Sequence, residues 1–276
     1  MPNTDPRWAP ATASALQRAF DLVRHPAKGS KQSVLEDAEL ILHCLAAGVQ
    51  VIEVYVEDGH VVPEQLVQAC EQAHVPIRSI APQDGIRIFK SDKRAHVFAV
   101  IKLPTPARLT DILERTGDVV VLDGVRIVGN IGAIVRSAFA LGAAGVVLVD
   151  SNLDSVADRR LLRASRGYVF SLPTVISSAA ETLSFLHGAG LEVAVFEVGG
   201  AVRLDGLANR PGPVALVFGS ERYGPSSAVA EAATIRVTIP MRRGAESLNV
   251  SVACAVAVYA RSVSRLSGGG SPRLSA

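Results

Sequence analysis

Five short, almost wholly apolar segments in the second part of the chain constrain its fold more than any other feature. They occupy residues 118–122, 145–149, 191–196, 214–218 and 235–239, and the segments between them are long enough to hold helices. Strands that are apolar on both faces are typical of a parallel sheet covered on both sides. We therefore predict such an α/β domain over residues 118–266.

Residues 1–103 show a second alternation of helical and strand patterns. Apolar residues at helical spacing predict helices over 12–24, 34–47, 63–73 and 83–89. Runs rich in β-branched residues predict strands over 49–56, 75–80 and 96–101, which together indicate a small α/β sandwich. Pro104 and Pro106 predict an interdomain linker over 104–117, and the Gly/Ser-rich residues 267–276 predict a flexible tail.

The charge balance and the apolar runs exclude several classes of protein. The chain has 28 Lys and Arg against 26 Asp and Glu, a net charge of +2, which excludes a disordered polyelectrolyte and gives no whole-chain argument for nucleic acid. No apolar run reaches the roughly 18 residues of a membrane span, and the first residues do not resemble a signal peptide, so we expect a cytoplasmic protein. The three cysteines lack metal-ligand spacing, so we expect no metal site.

Basic residues of the first segment cluster beside an aromatic side chain. The candidates for RNA binding are Arg24, Lys28, Arg87, Phe89, Lys90, Lys93 and Arg94. Cations can bind phosphates and a ring can stack on a splayed base, so this pattern predicts RNA contacts. An ordinary solvated face with Phe89 in the core explains the same pattern.

Residues 121–136 place polar groups after a buried strand. The strand ends at Asp123, a glycine-containing loop follows, and Asn130 is a candidate cap for the next helix. Ligands of parallel α/β sheets bind at the carboxyl ends of the strands, so Asn130 and Arg136 are candidate site residues. The loop lacks the Gly-Lys-Ser/Thr of a phosphate-binding P-loop, and a surface arginine is an equally good interpretation of Arg136.

Two further groups lie after predicted strands or on a helix. Arg166 closes an arginine-rich stretch over 155–166, where phosphate contact and a solvated helix face are both possible interpretations. Residues 218–221 and 239–250 follow two apolar strands, and backbone amides at such strand ends can bind the edge of an adenine. After Ser247 the apolar residues fit both a strand and a helix, and length and alanine content favour the helix.

Three motifs together resemble the SpoU branch of the SPOUT RNA methyltransferases. They are N-x-G-x-x-x-R at 130–136, G-x-E at 219–221, and I-P-M followed by S-L-N-V-S within 239–251. The stretch SVADRRLLRASRGYVFSLP at 155–173 is similar to the thiostrepton- and nosiheptide-resistance 23S rRNA methyltransferases, and this resemblance extends over nearly the full chain.

The resemblance implies a fold and a cofactor that spacing alone does not predict. The fold would be a doubly wound parallel sheet with a C-terminal trefoil knot that binds S-adenosylmethionine in a homodimer, and the first domain would be a ribosomal-protein-like RNA-binding unit. Gly219, Ile239 and Leu248 would hold the adenine end through backbone groups. The further candidates for the cofactor wall are Phe196, Val198, Phe218, Ser220, Met241, Ser247, Asn249 and Val252.

The same resemblance implies a reaction and assigns roles to polar residues. The substrate would be an adenosine ribose in the GTPase-centre hairpin of 23S rRNA, and its 2′-O-methylation would confer resistance to thiopeptide antibiotics. Arg136 would polarise the hydroxyl or grip the adjacent phosphate, and Asn130 would orient Arg136. Glu221 would hold an arginine or a ribose hydroxyl, and Arg166 would reach the site from the partner subunit. A tRNA ribose methyltransferase and a non-catalytic RNA-binding protein are the alternatives.

Overall fold

A computed structural model describes residues 8–27, 29–90, 94–220 and 222–267. Lys28, Lys93, Glu221 and residues 268–276 of the predicted tail lie outside the described residues. The chain divides into two compact units between Thr105 and Pro106.

The described residues of the first unit form four strands and four helices. They are α1 (Ala13–Arg24), β1 (Gln32–Glu36), α2 (Ala38–Ala46), β2 (Val51–Glu57), α3 (Glu64–Gln72), β3 (Ile77–Ile80), α4 (Pro82–Phe89) and β4 (Val97–Lys102). The strands form one mixed sheet in the order β1-β4-β2-β3, in which β4 runs antiparallel to β1 and β2, and β3 runs parallel to β2. One face of the sheet packs under α1, with Ala19, Tyr55 and Phe98 in the buried core.

The prediction of one helix over residues 34–47 is wrong at its start. Residues 32–36 form strand β1, in which Val34 pairs with Val100 and Leu35 with Ala99. Both side chains are buried. A β-branched residue next to an apolar residue can be buried in a strand as well as in a helix, so the pattern alone does not distinguish the two. Asp37 then breaks the strand with a φ of 83°, and its side chain accepts a hydrogen bond from Leu40 N–H to cap α2.

The second unit contains the remaining seven strands and seven helices of the described residues. They are α5 (Leu109–Leu113), β5 (Val119–Asp123), α6 (Val128–Ala140), β6 (Gly145–Val149), α7 (Arg159–Ala164), β7 (Thr174–Ile176), α8 (Ala179–Gly188), β8 (Glu192–Phe196), β9 (Val202–Arg203), α9 (Leu204–Ala208), β10 (Val214–Gly219), α10 (Ser227–Glu231), β11 (Ile235–Thr238) and α11 (Val250–Ser267). A short 3-10 turn at Tyr168–Phe170 follows α7.

All pairings in the second sheet are parallel, as its apolar strands predict. The strand order is β7-β6-β5-β10-β8-β11-β9. The five predicted strands are confirmed as β5, β6, β8, β10 and β11, while β7 and β9 were not predicted. These two strands have three and two residues and lie at the sheet edges, so they carry too little pattern to be recognised. The predicted trefoil knot stays a prediction.

The segment that we predicted as a linker, 104–117, is partly helical. Within it, α5 places Ile112 in the buried core of the second sheet. A Cβ atom at Gly145 would lie 2.7 Å from Ile112 Cγ1, so the glycine makes room for this contact. The prolines interrupt regular structure only locally, because the apolar residues after them form a helix that packs on the core of the second sheet.

A buried ion pair ties the last helix to the start of β5. Arg261 of α11 is fully buried, and its Nε and Nη2 each donate to a carboxylate oxygen of Asp118 at 2.9 Å. The remaining guanidinium N–H groups donate to the carbonyls of Leu207, Arg210 and Gly212. Every N–H of the guanidinium therefore has an acceptor, which is the condition for burying an arginine at acceptable cost.

Two expected absences concern membranes and metals. No helix among the described residues is long and apolar enough to cross a membrane. Within the same residues, no cluster of His, Cys, Asp or Glu could hold a metal ion.

Candidate active site

The loops that follow β5 and β10 meet at the carboxyl edge of the second sheet. Asp123, the last residue of β5, accepts a hydrogen bond of 2.6 Å from the backbone N–H of Ser226, which lies beyond β10. A Cβ atom built at Gly124 would lie 3.5 Å from Ser220 Cβ, so the two loops are in contact. In the strand order, β6 and β7 lie on one side of the β5–β10 pair, and β8, β11 and β9 lie on the other side. The chain order reverses at this pair, and a doubly wound fold binds its ligand at the carboxyl end of such a switch point.

A hydrogen bond joins the first and third sequence motifs. Asn249 Nδ2 donates to Asn130 Oδ1 at 3.2 Å, between residues 119 positions apart. Asn249 Oδ1 in turn accepts from the backbone N–H of Ser251 at 2.8 Å and so caps α11. The starts of α6 and α11 are thereby held against each other by side-chain amides.

The prediction that Asn130 caps α6 is wrong. The helix begins at Val128 with Ile127 in the cap position, so Asn130 lies in the first turn. This earlier start places the Asn130 amide on the side of α6 that Asn249 can reach. Asn249 has the capping role instead, at the other helix.

Arg136 lies on α6 one turn beyond Gly132, the residue at which this helix packs against α7. A Cβ atom at Gly132 would lie 2.4 Å from Ala164 Cβ and 2.8 Å from the nitrogen of Ser165. Residues four apart lie on one face of a helix, so Arg136 follows Gly132 along this contact. Arg136 is exposed, and Arg166, directly after α7, is also exposed and has a φ of 50°. Two candidate arginines therefore belong to neighbouring elements of the same chain.

The candidate cofactor residues follow three neighbouring strands, β10, β8 and β11. The rings of Phe196 and Phe218 stack with centroids 4.5 Å apart and form an apolar wall. Gly219 fits tightly under the turn that follows, since a Cβ atom there would lie 2.1 Å from the carbonyl carbon of Gly224. Ile239, Met241 and Ser220 are half-buried, whereas the exposed candidates are Val198, Ser247, Leu248, Asn249 and Val252.

Two of the candidate RNA-binding residues in the first unit have structural roles instead. Arg94 makes a paired ion bridge to Glu57, with its Nε 2.9 Å from Oε2, and its side chain is only 7% exposed. Phe89 packs edge-on against Phe98 at 5.1 Å and contacts the core below α1, as the core interpretation predicts. These contacts favour structural roles for both side chains, and their assignment to RNA binding stays a prediction.

The other described candidates of the first unit remain accessible. Arg87 and Lys90 are exposed, and Arg24 is half-exposed. The Arg87 guanidinium lies 5.0 Å from the centroid of the Phe20 ring and also donates to Gln17 at 3.0 Å. Arg24 and Phe20 lie four residues apart on α1, so the cations of α1 and α4 form one surface.

Sequence reasoning missed the role of Asp123 and the exposure of Tyr223. Asp123 was recognised as a strand end but not as the anchor of the β10 loop, although an acidic residue that ends an apolar strand could have indicated it. Tyr223 is 85% exposed on that loop, and nothing in the sequence distinguishes it from a core aromatic residue.

A fully parallel sheet of this strand order defines an α/β protein of the doubly wound class, in which ligands bind at the carboxyl ends of the strands. The model of the SpoU rRNA Methylase family matches residues 118–259, and that of the thiostrepton-resistance methylase N terminus matches residues 9–115. The chain belongs to the SpoU rRNA methylase family.

Individual relatives match nearly the whole chain. Two proteins named 23S rRNA (adenosine(1067)-2′-O)-methyltransferase, from Streptomyces azureus and Streptomyces laurentii, are 45% and 46% identical to it. These matches cover 90% and 92% of this chain and 92% and 94% of the relatives. A crystal structure of an RNA 2′-O ribose methyltransferase has a TM-score of 0.76 at 27% identity, over 94% of this chain and 99% of that chain.

Proposed function

We propose that this chain methylates 23S rRNA. It transfers a methyl group from S-adenosylmethionine to the ribose 2′-hydroxyl of an adenosine in the GTPase-centre hairpin, and thereby confers resistance to thiopeptide antibiotics. Membership of a methylase family and the names of the two Streptomyces relatives support the reaction and the class of RNA. A ribosomal substrate also supports the expected cytoplasmic location.

The hydrogen bond between Asn130 and Asn249 is the observation that carries this proposal. It brings the helix with Arg136 next to the loop that follows β11, although the motifs are far apart in sequence. A methyl donor and a hydroxyl must be aligned in one place for the transfer to occur. The contact brings the candidate residues for the hydroxyl, on α6, next to the candidate residues for the methyl donor, after β11.

The strand ends of β8, β10 and β11 fit the methyl donor. S-adenosylmethionine supplies an activated methyl group, so the chain must position a nucleophile rather than activate the donor. Gly219, Ile239 and Leu248 would hold its adenine through backbone groups, and the stacked rings of Phe196 and Phe218 give this edge an apolar wall. The other candidates named above would complete the wall.

Arg136 acts on the acceptor side of this proposal. An arginine guanidinium keeps its positive charge at neutral pH and cannot serve as a free base, so Arg136 polarises the hydroxyl or binds the adjacent phosphate. The hydroxyl proton passes by way of that phosphate to water, because a phosphodiester is too weak a base to keep it at neutral pH. Asn130 positions the first turn of α6 through its contact with Asn249. To Glu221 we assign the role of holding an arginine or a ribose hydroxyl.

An apolar stripe on α11 supports the proposed homodimer. Val252, Val256, Tyr259 and Val263 are exposed and follow one another at helical spacing on one face. Burying this face against a second copy would remove it from water. In such a dimer we propose that Arg166 serves the partner's site.

The surface around Arg24, Arg87 and Lys90 is our proposed RNA contact of the first unit. Its cations are accessible, and the match to the N-terminal region of thiostrepton-resistance methylases supports a substrate-binding role. RNA affinity that depends on these cations should fall as salt concentration rises, because phosphate contacts release counterions.

Methyl transfer from a labelled donor to defined RNAs tests the reaction. We expect transfer to the 23S rRNA hairpin, none to the same hairpin with 2′-deoxyadenosine at the target, and none to tRNA. Transfer to tRNA alone would favour the tRNA enzyme, and RNA binding without transfer would favour the non-catalytic protein. Methylation of the deoxy hairpin would exclude ribose as the acceptor.

Arginine variants test the assigned roles. Arg136→Ala should abolish transfer while donor affinity, measured by calorimetry, stays within about twofold, and Arg136→Lys should rescue little because it lacks the planar fork. Coexpressed Arg136→Ala and Arg166→Ala subunits should regain activity, because one site of each mixed dimer then holds both arginines. Purified mixed dimers without activity would contradict the shared site.

A further inference from the structure

Tyr223 combines high exposure with a firmly held backbone. Its side chain is 85% exposed, whereas Tyr55 is fully buried and Tyr168 is half-buried against Phe139. Binding residues are concentrated on loops that a rigid scaffold holds in place, and Tyr223 lies on such a loop at the carboxyl edge of the sheet.

The loop that carries Tyr223 is closed by hydrogen bonds. Ser220 and Gly224 exchange two backbone hydrogen bonds of 2.9 Å, and the Ser220 hydroxyl accepts from the backbone N–H of Tyr223 at 3.1 Å. Beyond the loop, Ser226 N–H is bound to the carboxylate of Asp123. The ring therefore projects from a backbone that is fixed on both sides, so little backbone entropy is lost when a ligand binds to it.

The loop that carries this ring contacts the loop that leads from β5 to α6. Ser220 lies against Gly124 in the loop that leads to α6, and exposed Ile127 caps that helix. Of the candidate donor residues, Gly219 and Ser220 stand at the base of this same loop, and the stacked rings of Phe196 and Phe218 lie at the ends of β8 and β10. Tyr223, at the outer part of the loop, is thus open to a ligand that arrives from solvent at this carboxyl edge of the sheet.

We propose that Tyr223 stacks on a nucleobase that flanks the methylated nucleotide. This assignment rests on the proposed function and names a residue that positions its RNA. Aromatic side chains bind unpaired RNA bases by stacking, and every base offers such a face. The neighbouring Arg222 is exposed and can bind the phosphate of the same strand.

Three variants and a fluorescent hairpin test the stacking. Tyr223→Ala should weaken hairpin binding by about 5- to 150-fold, the range for loss of one base–aromatic stack, while Tyr223→Phe should bind within about twofold of the wild type. The slope of log affinity against log salt should be unchanged in Tyr223→Ala and shallower by about 0.7 in Arg222→Ala. In the wild type, 2-aminopurine at one flanking position should be quenched on binding, and Tyr223→Ala should abolish that quenching.

Donor affinity, the melting temperature and the oligomeric state should be the same in all variants. If the wild type methylates the hairpin and Tyr223→Ala binds it equally well, the stacking proposal alone fails. Equal losses in Tyr223→Phe and Tyr223→Ala, or a changed oligomeric state, would also overturn it. If the wild type neither binds nor methylates the hairpin, the proposed function fails and the stacking falls with it.

Discussion

Replacing Arg261 by methionine should destabilise the second unit strongly. Methionine keeps much of the side-chain volume but removes all five N–H donors that the buried guanidinium uses. Asp118 then loses both contacts of 2.9 Å, and three backbone carbonyls lose their partner. Asp118 itself is buried and cannot turn to solvent.

The expected loss is about 3 kcal/mol in the free energy of unfolding. Removing one partner of a buried ion pair costs about 3–5 kcal/mol, because the other charge stays buried. We expect a loss at the lower end of this range, because Asp118 keeps two other contacts in the variant. Arg265 also contacts the Asp118 carboxylate, and Val214 N–H donates to it at 2.8 Å.

Urea unfolding followed by circular dichroism, with hydrogen exchange at the Val214 amide as a local probe, measures this loss. The exposed pair of Arg203 and Asp205 gives a matched control, since Arg203→Met should cost less than about 1 kcal/mol. The double variant Asp118→Leu, Arg261→Met should regain part of the stability because no buried charge is left at position 118. A loss below about 1 kcal/mol in Arg261→Met would refute the reasoning.

Three other predictions concern packing, capping and thiol chemistry. Gly132→Ala should lower the free energy of unfolding by about 1–3 kcal/mol through overpacking on Ala164, whereas Gly129→Ala, which meets no atom within 4 Å, should be neutral or stabilising in the same urea titration. Asp158→Ala should cost about 1 kcal/mol at pH 7, because the Asp158 side chain caps α7. Hydrogen bonds from Arg160 lower the pKa of Asp158, so this difference should be present above about pH 4 and vanish as pH falls through the lowered pKa. Burial raises the pKa of Cys70 to about 11, and all three cysteines are buried, so a thiol reagent should label the native protein only after unfolding.

Contrary results would locate the error in each case. A stable Gly132→Ala variant would show that α6 and α7 can separate without cost. An Asp158→Ala loss that persists at low pH would assign the effect to packing rather than charge. Rapid labelling of the native protein would show that a buried cysteine is reached by local opening.

The parallel sheet could be predicted because its strands are buried on both faces. Residues 145–149, for example, are apolar throughout and form β6 with the predicted bounds. The pattern failed where it fits two structures, as at Val34 and Leu35, whose burial in a strand depends on pairing with residues 99 and 100. It also failed for β9, which has only two residues.

The candidate site was predicted as separate motifs, and its internal contacts were not. The contact of Asn130 with Asn249 depends on where two helices begin. The start of α6 lies three residues before the predicted one, so Asn130 is a partner of Asn249 and not a helix cap. Long-range pairings of charge, such as Arg94 with Glu57, are equally invisible in one sequence. Residue type indicated the chemistry of these side chains. The topology of the fold decided which of them are exposed for binding and which are held in structural contacts.

The hydrogen bond between Asn130 and Asn249 also sets an order of events during protein synthesis. Asn249 is added 119 residues after Asn130, so α6 can emerge and fold long before its partner exists. A nascent or prematurely terminated chain that stops short of Asn249 would carry Arg136 on a formed helix yet lack the amide that completes the site. Such fragments should not methylate the RNA of the ribosomes that make them, and only the finished chain would act on ribosomal RNA.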